Sequence, residues 1–236
     1  MQKLLLCSSS KAGDSDYLAP VIPWLRERVP APAKIAFVPF AGVTMSYAEY
    51  TQRVAEKLTP LGYDIINLAA QDDAVATLTA VDAILVGGGN TFHLLNELQQ
   101  RGLVTPLQAA VQAGTPYIGW SAGSNIAGLS IRTTNDMPIV EPQSFNALSF
   151  LPCQLNPHYI DSHPPGFHGE TRDQRLAEFT TVAPNTAVIG LREGSALWVD
   201  GNTVKLCGAA SGVLFLGNDK HQLPANSDIS AWLSSK

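Results

Sequence analysis

The stretch "TPYIGWSAGSNIAG" at residues 115–128 joins an apolar run to a helix-compatible segment through Gly119-Trp120-Ser121-Ala122-Gly123. A Gly-x-Ser-x-Gly pattern between a strand and a helix is typical of a nucleophile elbow, a strained turn that projects a serine and needs small neighbours. The pattern alone is weak, because a chain with 19 glycines can contain it by chance. The apolar run before it favours the elbow over the alternative, in which Ser121 only caps the following helix.

The residues before the elbow alternate short apolar runs with helical patterns. Strands that are apolar throughout and separated by helices are typical of a parallel sheet covered on both faces. The sequence therefore predicts a doubly wound α/β fold. The predicted strands are residues 3–9, 34–42, 63–69, 82–89 and 116–120, and the predicted helices are residues 16–29, 46–62 and 92–114, the last segment forming one or two helices.

The residues after about position 130 have a different pattern. Residues 145–160 resemble strand material, residues 169–182 a helix, and residues 186–208 a strand followed by a hairpin that turns at Asp200 and Gly201. We expect a single domain over residues 1–236, with a mostly parallel sheet, helices on both faces and a late antiparallel hairpin extension.

The composition is that of a soluble globular protein, with 45% hydrophobic and 15% charged residues. No apolar run approaches the roughly 18 residues that a membrane span needs, so no membrane association is expected. The net charge of -5 comes from mixed charges without a basic stripe, which argues against nucleic acid and for a small substrate. Three widely spaced cysteines fit neither a disulfide framework nor a cysteine metal site, and they favour a cytoplasmic location.

A glycine-rich turn is a second candidate site, because ligands of open parallel sheets bind beyond the carboxyl ends of the strands. In "VGGGNTFHLL", three glycines at residues 87–89 end a predicted strand, and Asn90 or Thr91 begins a helix. Such a turn can bind an anion, so a non-catalytic nucleotide-binding module is one alternative and a plain strand-to-helix turn is another. The spacing lacks both G-x-G-x-x-G and the lysine of a P-loop.

A serine nucleophile needs a general base, and His158 is the first choice among five histidines. It closes "QLNPH" at the end of a predicted strand, so its imidazole is expected on the same edge of the sheet as Ser121. His163 and His168 follow in a loop and are interpreted as surface or pocket residues. Together with Asp161 these histidines also allow a metal-dependent hydrolase, but their spacing matches no zinc motif, and no metal or cofactor is expected.

Two carboxylates could orient the imidazole of His158. Asp136 in "RTTNDMPI" would give the order Ser, Asp, His, and Glu193 in "GLREGSA" would give Ser, His, Glu. Unrelated triads use different orders, so order cannot distinguish them. The end of an apolar strand favours Glu193, whereas Asp136 could orient the site or meet a substrate amine.

The segments "VGGGNTF", "GWSAGSN", "TTNDMPI", "LNPHYID" and "GFHGETRDQR" together resemble peptidase E. This family comprises α-aspartyl dipeptidases, which are serine peptidases of a flavodoxin-like fold related to glutamine amidotransferase domains. The cyanophycinases share the glycine loop and the serine elbow but are a looser match. The amidotransferases carry cysteine in the elbow where this chain has Ser121, which argues against glutamine hydrolysis.

The resemblance implies that the chain hydrolyses dipeptides and some amino-terminal derivatives whose first residue is aspartate, and we expect the reaction to pass through an acyl-enzyme on Ser121. The resemblance also implies that Ser121 is the nucleophile and His158 the base, and it leaves the third position open between Asp136 and Glu193. The substrate would be a small peptide, and the protein a monomer or homodimer.

Two further groups of residues would serve such a reaction. Backbone N–H groups of Ala122 and of Gly88 or Gly89 would stabilise the oxyanion. A cation must receive the substrate aspartate, and Arg172 or Arg175 in "GETRDQR" could do so, although both could equally lie on an exposed helix face. The remaining substrate-binding candidate is Asn90.

Overall fold

The computed structural model describes residues 1–161, 166 and 168–234. Its strands are β1 (Lys3–Cys7), β2 (Ala33–Val38), β3 (Tyr63–Asn67), β4 (Ala83–Val86), β5 (Tyr117–Trp120), β6 (Gln154–Pro157), β7 (Val188–Leu191), β8 (Ser195–Asp200), β9 (Thr203–Gly208), β10 (Gly212–Leu216), β11 (Asp219–Leu223) and β12 (Ser227–Asp228). Its α-helices are α1 (Ile22–Arg28), α2 (Tyr47–Leu58), α3 (Ala74–Ala80), α4 (Thr91–Gln100), α5 (Val104–Ala113), α6 (Ala122–Asn125), α7 (Arg172–Val182) and α8 (Ser230–Ser234).

The larger sheet has eight strands in the order β12-β9-β8-β1-β5-β4-β2-β3. The five strands from β1 to β3 in this order pair in parallel, and β8, β9 and β12 extend the sheet in antiparallel fashion. The predicted α/β fold with a parallel sheet and a late antiparallel extension is confirmed. The hairpin between β8 and β9 turns directly after Asp200, at Gly201 with a φ of 57°.

Helices cover both faces of this sheet, as predicted. Alternate residues of β1 contribute to two different hydrophobic clusters: Leu4 and Leu6 join one, and Leu5 joins the other. The first cluster includes the buried residues of α4 and α5, and the second those of α1 and α2. This division explains why the parallel strands are apolar throughout, since each must bury side chains on two faces.

A second sheet of four strands, in the order β11-β10-β7-β6, lies outside the prediction. Strands β6 and β7 pair in parallel, while β7, β10 and β11 pair in antiparallel fashion. The buried residues Leu155 of β6, Ile189 of β7 and Leu214 of β10 belong to the same hydrophobic cluster as Leu4 of β1. The two sheets therefore share a continuous core.

The predicted strand over residues 145–160 is wrong except at β6. The apolar residues Leu148, Phe150 and Leu151 are buried, but their backbone amides donate to carbonyls of the segment that follows the elbow, at Ile126 and Ala127. An apolar run shows that a segment is buried, but it does not show whether a neighbouring strand is available to pair with it.

Parallel pairing brings the turns that follow β1, β4 and β5 to one edge of the larger sheet. The turn after β5 needs glycine for close packing, because a Cβ atom on Gly123 would lie 2.2 Å from the carbonyl oxygen of Val86. Among the described residues, no helix is both long and apolar enough to cross a membrane.

Candidate active site

Ser121 lies at the sharp turn between β5 and α6. Its backbone has φ 53° and ψ -116°, which a residue other than glycine adopts only under strain. Ser121 holds the N-cap position of α6, but its hydroxyl accepts no capping hydrogen bond from that helix, the whole of which is described. The geometry is that of the predicted elbow, and the side chain is free to contact another residue.

Ser121, His158 and Glu193 form a hydrogen-bonded series. Ser121 Oγ lies 3.0 Å from His158 Nε2, and His158 Nδ1 lies 3.0 Å from Glu193 Oε1. The pairing of β6 with β7 explains the second contact, because Pro157 and Leu191 are register partners and the two side chains follow them at the same edge. The arrangement has the spacing of a nucleophile, a base and an orienting carboxylate.

Asp136 has different partners in the described residues. Its Oδ2 atom accepts a hydrogen bond of 2.7 Å from the backbone N–H of Thr91 and one of 3.2 Å from the hydroxyl of Thr134. The carboxylate thus caps the first turn of α4, where the helix dipole favours a negative charge. Of the two carboxylates considered from the sequence, Glu193 is the one that contacts His158.

Ser8, which the predicted first strand includes, forms hydrogen bonds that hold the backbone of this series in place. Its buried hydroxyl oxygen accepts a 3.0 Å hydrogen bond from the backbone N–H of His158 and donates one of 2.8 Å to the carbonyl of Leu191. It therefore joins the ends of β1, β6 and β7. A polar residue directly after a buried strand, on the edge where ligands bind, is the signal that could have identified it.

Two cavities open beside Ser121 and His158. The smaller has a volume of about 250 Å³ and the larger about 600 Å³. Ser121 and His158 line both of them. The other lining residues of the smaller cavity are Thr91, Ala122, Asn125, Thr134, Asn135, Asp136, Pro157 and Arg172.

Arg172, the first residue of α7, supplies a cation to the smaller cavity. Its Nη1 donates to Asn135 Oδ1, and its buried Nε atom has no hydrogen-bond acceptor among the described residues. Burial lowers the pKa of the Arg172 guanidinium, Arg175 lowers it further, and Asp136 acts in the opposite direction. An anion that entered this cavity would find an incompletely paired cation.

The other two substrate-binding candidates lie elsewhere. Arg175 is exposed, lines neither cavity, and has its Nε 3.6 Å from the carboxylate of Glu170. Asn90 lines the larger cavity, where its Oδ1 caps α4 at the N–H of His93 and its Nδ2 donates to the carbonyl of Met137.

Asn135 was missed by the sequence analysis, and it holds the wall of the smaller cavity in place. Its Nδ2 donates to the carbonyl of Pro157, and its Oδ1 accepts from both Arg172 and Asn156. Asparagine is common in ordinary loops, so the residue type alone gave no signal. Only its position in "TTNDMPI", between the elbow and Asp136, could have drawn attention to it.

The glycine turn after β4 lies against the elbow. A Cβ atom on Gly88 would lie 2.9 Å from the Cβ of Ser121, so only glycine allows this approach. The backbone N–H groups of Gly88, Gly89 and Ala122 donate to no acceptor within the part of the chain that the structure describes. Unpaired N–H groups beside a serine are suited to stabilise a developing negative charge.

The histidine-rich loop shows no metal-binding arrangement in its described part. Asp161 forms an ion pair of 2.5 Å with Arg192, whose hydrogen bond holds the pKa of that carboxyl below its usual range. His168 is exposed, and His163 lies outside the described residues. No group of three or more histidines, cysteines and carboxylates in residues 1–161, 166 and 168–234 could hold a metal ion.

The α/β fold and the Ser-His-Glu series define a hydrolase of the serine type. The model of peptidase family S51 matches residues 4–207, and the chain belongs to this family. It is similar to peptidase E of Shewanella baltica strain OS155, with 50% identity over 232 residues and 98% of each chain covered. It is also similar to peptidase E of Shewanella oneidensis strain MR-1, with 51% identity over 227 residues and 96% of each chain covered.

Two solved structures share the fold. A candidate peptidase E protein from Listeria monocytogenes EGD-e superposes with a TM-score of 0.69 at 24% identity, covering 89% of this chain and 100% of that one. A peptidase from an acI-B1 Actinobacterium superposes with a TM-score of 0.70 at 18% identity, covering 97% and 96%. The protein therefore has the architecture of these structures, and its family makes it a serine-type peptidase.

Proposed function

We propose that this serine dipeptidase hydrolyses peptides of the form Asp-X, and that Ser121, His158 and Glu193 are its catalytic residues. The observation that carries the proposal is that the Ser121–His158–Glu193 series borders a small cavity lined by a half-buried cation, Arg172. A nucleophile beside a cationic pocket suits a substrate with a negative charge near the scissile bond. This chemistry agrees with the resemblance to the α-aspartyl dipeptidases.

In the first half of the reaction, His158 Nε2 takes the hydroxyl proton as Ser121 Oγ bonds to the carbonyl carbon of the aspartyl residue. The tetrahedral intermediate then collapses. The C–N bond breaks, His158 gives the proton to the departing amine, and an aspartyl ester remains on Ser121. Glu193 accepts the Nδ1 proton in a hydrogen bond, and so keeps Nε2 available as the base.

In the second half, His158 deprotonates a water molecule, whose oxygen attacks the ester carbonyl. Breaking the ester bond returns the proton to Ser121 and releases aspartate. In both halves the oxyanion would accept hydrogen bonds from the N–H of Ala122 and from that of Gly88 or Gly89. Removal of one such donor typically raises the barrier by about 2.7 to 4 kcal/mol.

Substrate selection follows from the charges in the smaller cavity. Arg172 would bind the side-chain carboxylate of the substrate aspartate, and Asp136 would attract its free α-ammonium group. Arg175 and Asn90 have less favourable positions for this role, because Arg175 pairs with Glu170 and Asn90 lines the other cavity. A pocket with one cation and one carboxylate matches a residue that carries both charges.

We predict different kinetic effects from changing the two carboxylates. Glu193→Gln should lower kcat for Asp-Leu by about 10²-fold or more, because the amide no longer stabilises the imidazolium or fixes the tautomer of His158. Asp136→Asn should mainly raise KM, because it removes the partner of the ammonium group. Steady-state kinetics of both variants measures this difference. The assignment is wrong if Asp136→Asn abolishes turnover while Glu193→Gln leaves kcat unchanged.

We predict that Ser8→Ala lowers kcat by about tenfold, because His158 loses the hydrogen bond that fixes its backbone at a φ of 55°. It should also lower the free energy of unfolding by about 1–3 kcal/mol, since two buried groups lose their partner. Kinetics with Asp-Leu and urea denaturation measure the two effects. Ser9→Ala is the control, because the amide of Lys11 is the one partner of the Ser9 hydroxyl among the described residues. An unchanged kcat in Ser8→Ala would rule out the positioning role.

The test of the proposed function is hydrolysis of Asp-Leu, Asn-Leu and Leu-Leu by the purified protein, each measured without and with a chelator. We expect release of leucine from Asp-Leu, and rates lower by about 10²-fold or more for the other two dipeptides. Equal hydrolysis of all three would contradict the aspartate preference. Loss of Asp-Leu hydrolysis on adding the chelator would indicate a metal-dependent enzyme instead.

The two sheets share a continuous core, which supports our proposal that residues 1–236 form one domain. We further propose a cytoplasmic protein, a monomer or homodimer, that acts on small peptides and does not bind nucleic acid. Cys7 and Cys153 are buried free thiols, which supports a reducing compartment.

A further inference from the structure

Under the proposed reaction, the larger cavity would receive the departing residue of the dipeptide. Ser121 and His158 line both cavities, so a scissile bond held at Ser121 borders both of them. If the aspartyl residue occupies the cavity with Arg172, the second residue of the dipeptide must enter the cavity of about 600 Å³. One residue spans at most about 3.6 Å, so the α-carboxylate of the second residue would also lie inside this cavity.

Among the residues that the structure describes, the lining of this larger cavity contains two cations and no acidic residue. Lys11 and Arg53 line it, together with the apolar side chains of Val43, Met45 and Ile139. Neither Lys11 nor Arg53 forms a salt bridge with any residue that the structure describes. A cavity of this kind is suited to a residue with an apolar side chain and one negative charge.

Arg53 is an exposed residue of α2 that contacts an aromatic side chain of the same cavity. Its guanidinium lies over the ring of Tyr17, 4.4 Å from the ring centre. Tyr50 lies three residues before it on α2, on the same face of the helix, and the Tyr50 hydroxyl donates a 2.8 Å hydrogen bond to the carbonyl of Gly88. The glycine turn that packs against Ser121 is thereby joined to the helix that carries Arg53.

We propose that Arg53, assisted by Lys11, binds the free α-carboxylate of the leaving residue and so selects dipeptides with a free carboxyl terminus. The proposal rests on the proposed function, since it assigns the leaving side of the same site. A guanidinium can bind a carboxylate through two parallel hydrogen bonds, and Lys11 adds a point charge. The apolar lining contacts the side chain of the second residue.

The test compares Asp-Leu with Asp-Leu amide, which has the same scissile bond but no terminal carboxylate. The unchanged protein should hydrolyse Asp-Leu with a kcat/KM about tenfold or more above that for the amide. Arg53→Met should lower kcat/KM for Asp-Leu by a similar factor and leave that for the amide unchanged. Lys11→Met should have the same effect to a smaller extent, and Arg53→Lys should retain part of the preference.

Lys57→Met is the matched control, because Lys57 is an exposed cation on α2 that does not line the cavity. It should leave both substrates unaffected. The proposal is overturned if the unchanged protein hydrolyses both substrates equally, or if Arg53→Met lowers both rates by the same factor. Failure of the proposed function gives a different result, namely that Asp-Leu and its amide are both inert in every variant.

Discussion

Ser121→Ala is expected to lower kcat for Asp-Leu by about four orders of magnitude or more, without unfolding the protein. The substitution removes the only atom that could form the ester, and variants that lack the nucleophile of a serine hydrolase lose rate on this scale. The measurement is a single-turnover and steady-state assay with a chelator present. The alanine side chain of this variant lacks only the hydroxyl, so the packing around Trp120 and Ala122 is preserved.

Thermal unfolding is the control for this variant. Ser121 has a strained backbone and its hydroxyl caps no amide of α6, so its replacement should leave the melting temperature within a few degrees of the unchanged protein. Residual activity within tenfold of the unchanged protein would contradict the assignment of Ser121 as nucleophile. It would leave the serine as a structural part of the turn.

Arg172→Met is expected to remove the preference for aspartate. We expect kcat/KM for Asp-Leu to fall by about 10²-fold to 10³-fold, because the substrate carboxylate would enter a desolvated cavity without its cation. The rate for Asn-Leu should change little, so the ratio of the two values should approach one. The measurement is kcat/KM for both dipeptides under the same conditions.

Arg175→Met is the matched control for the arginine prediction. It removes the same charge three residues further along α7, from an exposed position beside Glu170 that lines neither cavity. It should leave the ratio of Asp-Leu to Asn-Leu unchanged. The role of Arg172 would be ruled out if its variant keeps the ratio, or if Arg175→Met reduces the ratio by a similar factor.

The elements of the larger sheet could be predicted because their signals are local. Helix α2 begins at a capping box formed by Ser46 and Glu49, and the 3₁₀ turn that follows it at Thr59–Leu61 ends at Gly62, which has a left-handed φ of 95°. The helical segment at residues 92–114 consists of two helices, because Gly102 at φ 66° interrupts it. Apolar strands and glycine-ended helices follow from short-range sequence patterns.

The second sheet could not be predicted because its pairing depends on distant segments. Strand β10 pairs with β7 and β11, and the polar sequence of β11, "DKHQL", has no apolar pattern of its own. Among the described residues, the segment before β6 pairs with the rest of the chain only through an isolated bridge between Ser130 and Asn146, so its apolar residues are buried without forming a strand. Patterns within a segment carry little information about which neighbours complete its hydrogen bonds.

The candidate catalytic residues could be predicted from the sequence because their positions depend on where the strands end. Ser121, His158 and Glu193 each follow a strand, and the structure brings their side chains into hydrogen-bond contact. The sequence left Asp136 and Glu193 as alternatives, because choosing between them requires the parallel pairing of β6 with β7. Ser8 was missed since its partner residues are 150 and 183 positions away in the chain.

We propose that Asp-X hydrolysis proceeds through an aspartyl ester on Ser121. Partitioning of the acyl group between water and added hydroxylamine, with Asp-Leu, Asp-Phe and Asp-Ala as substrates, detects such an intermediate. A shared ester intermediate predicts the same ratio of aspartyl hydroxamate to aspartate from all three substrates, and neither product in Ser121→Ala. A ratio that changes with the leaving residue, or hydrolysis that persists in Ser121→Ala, would contradict the account.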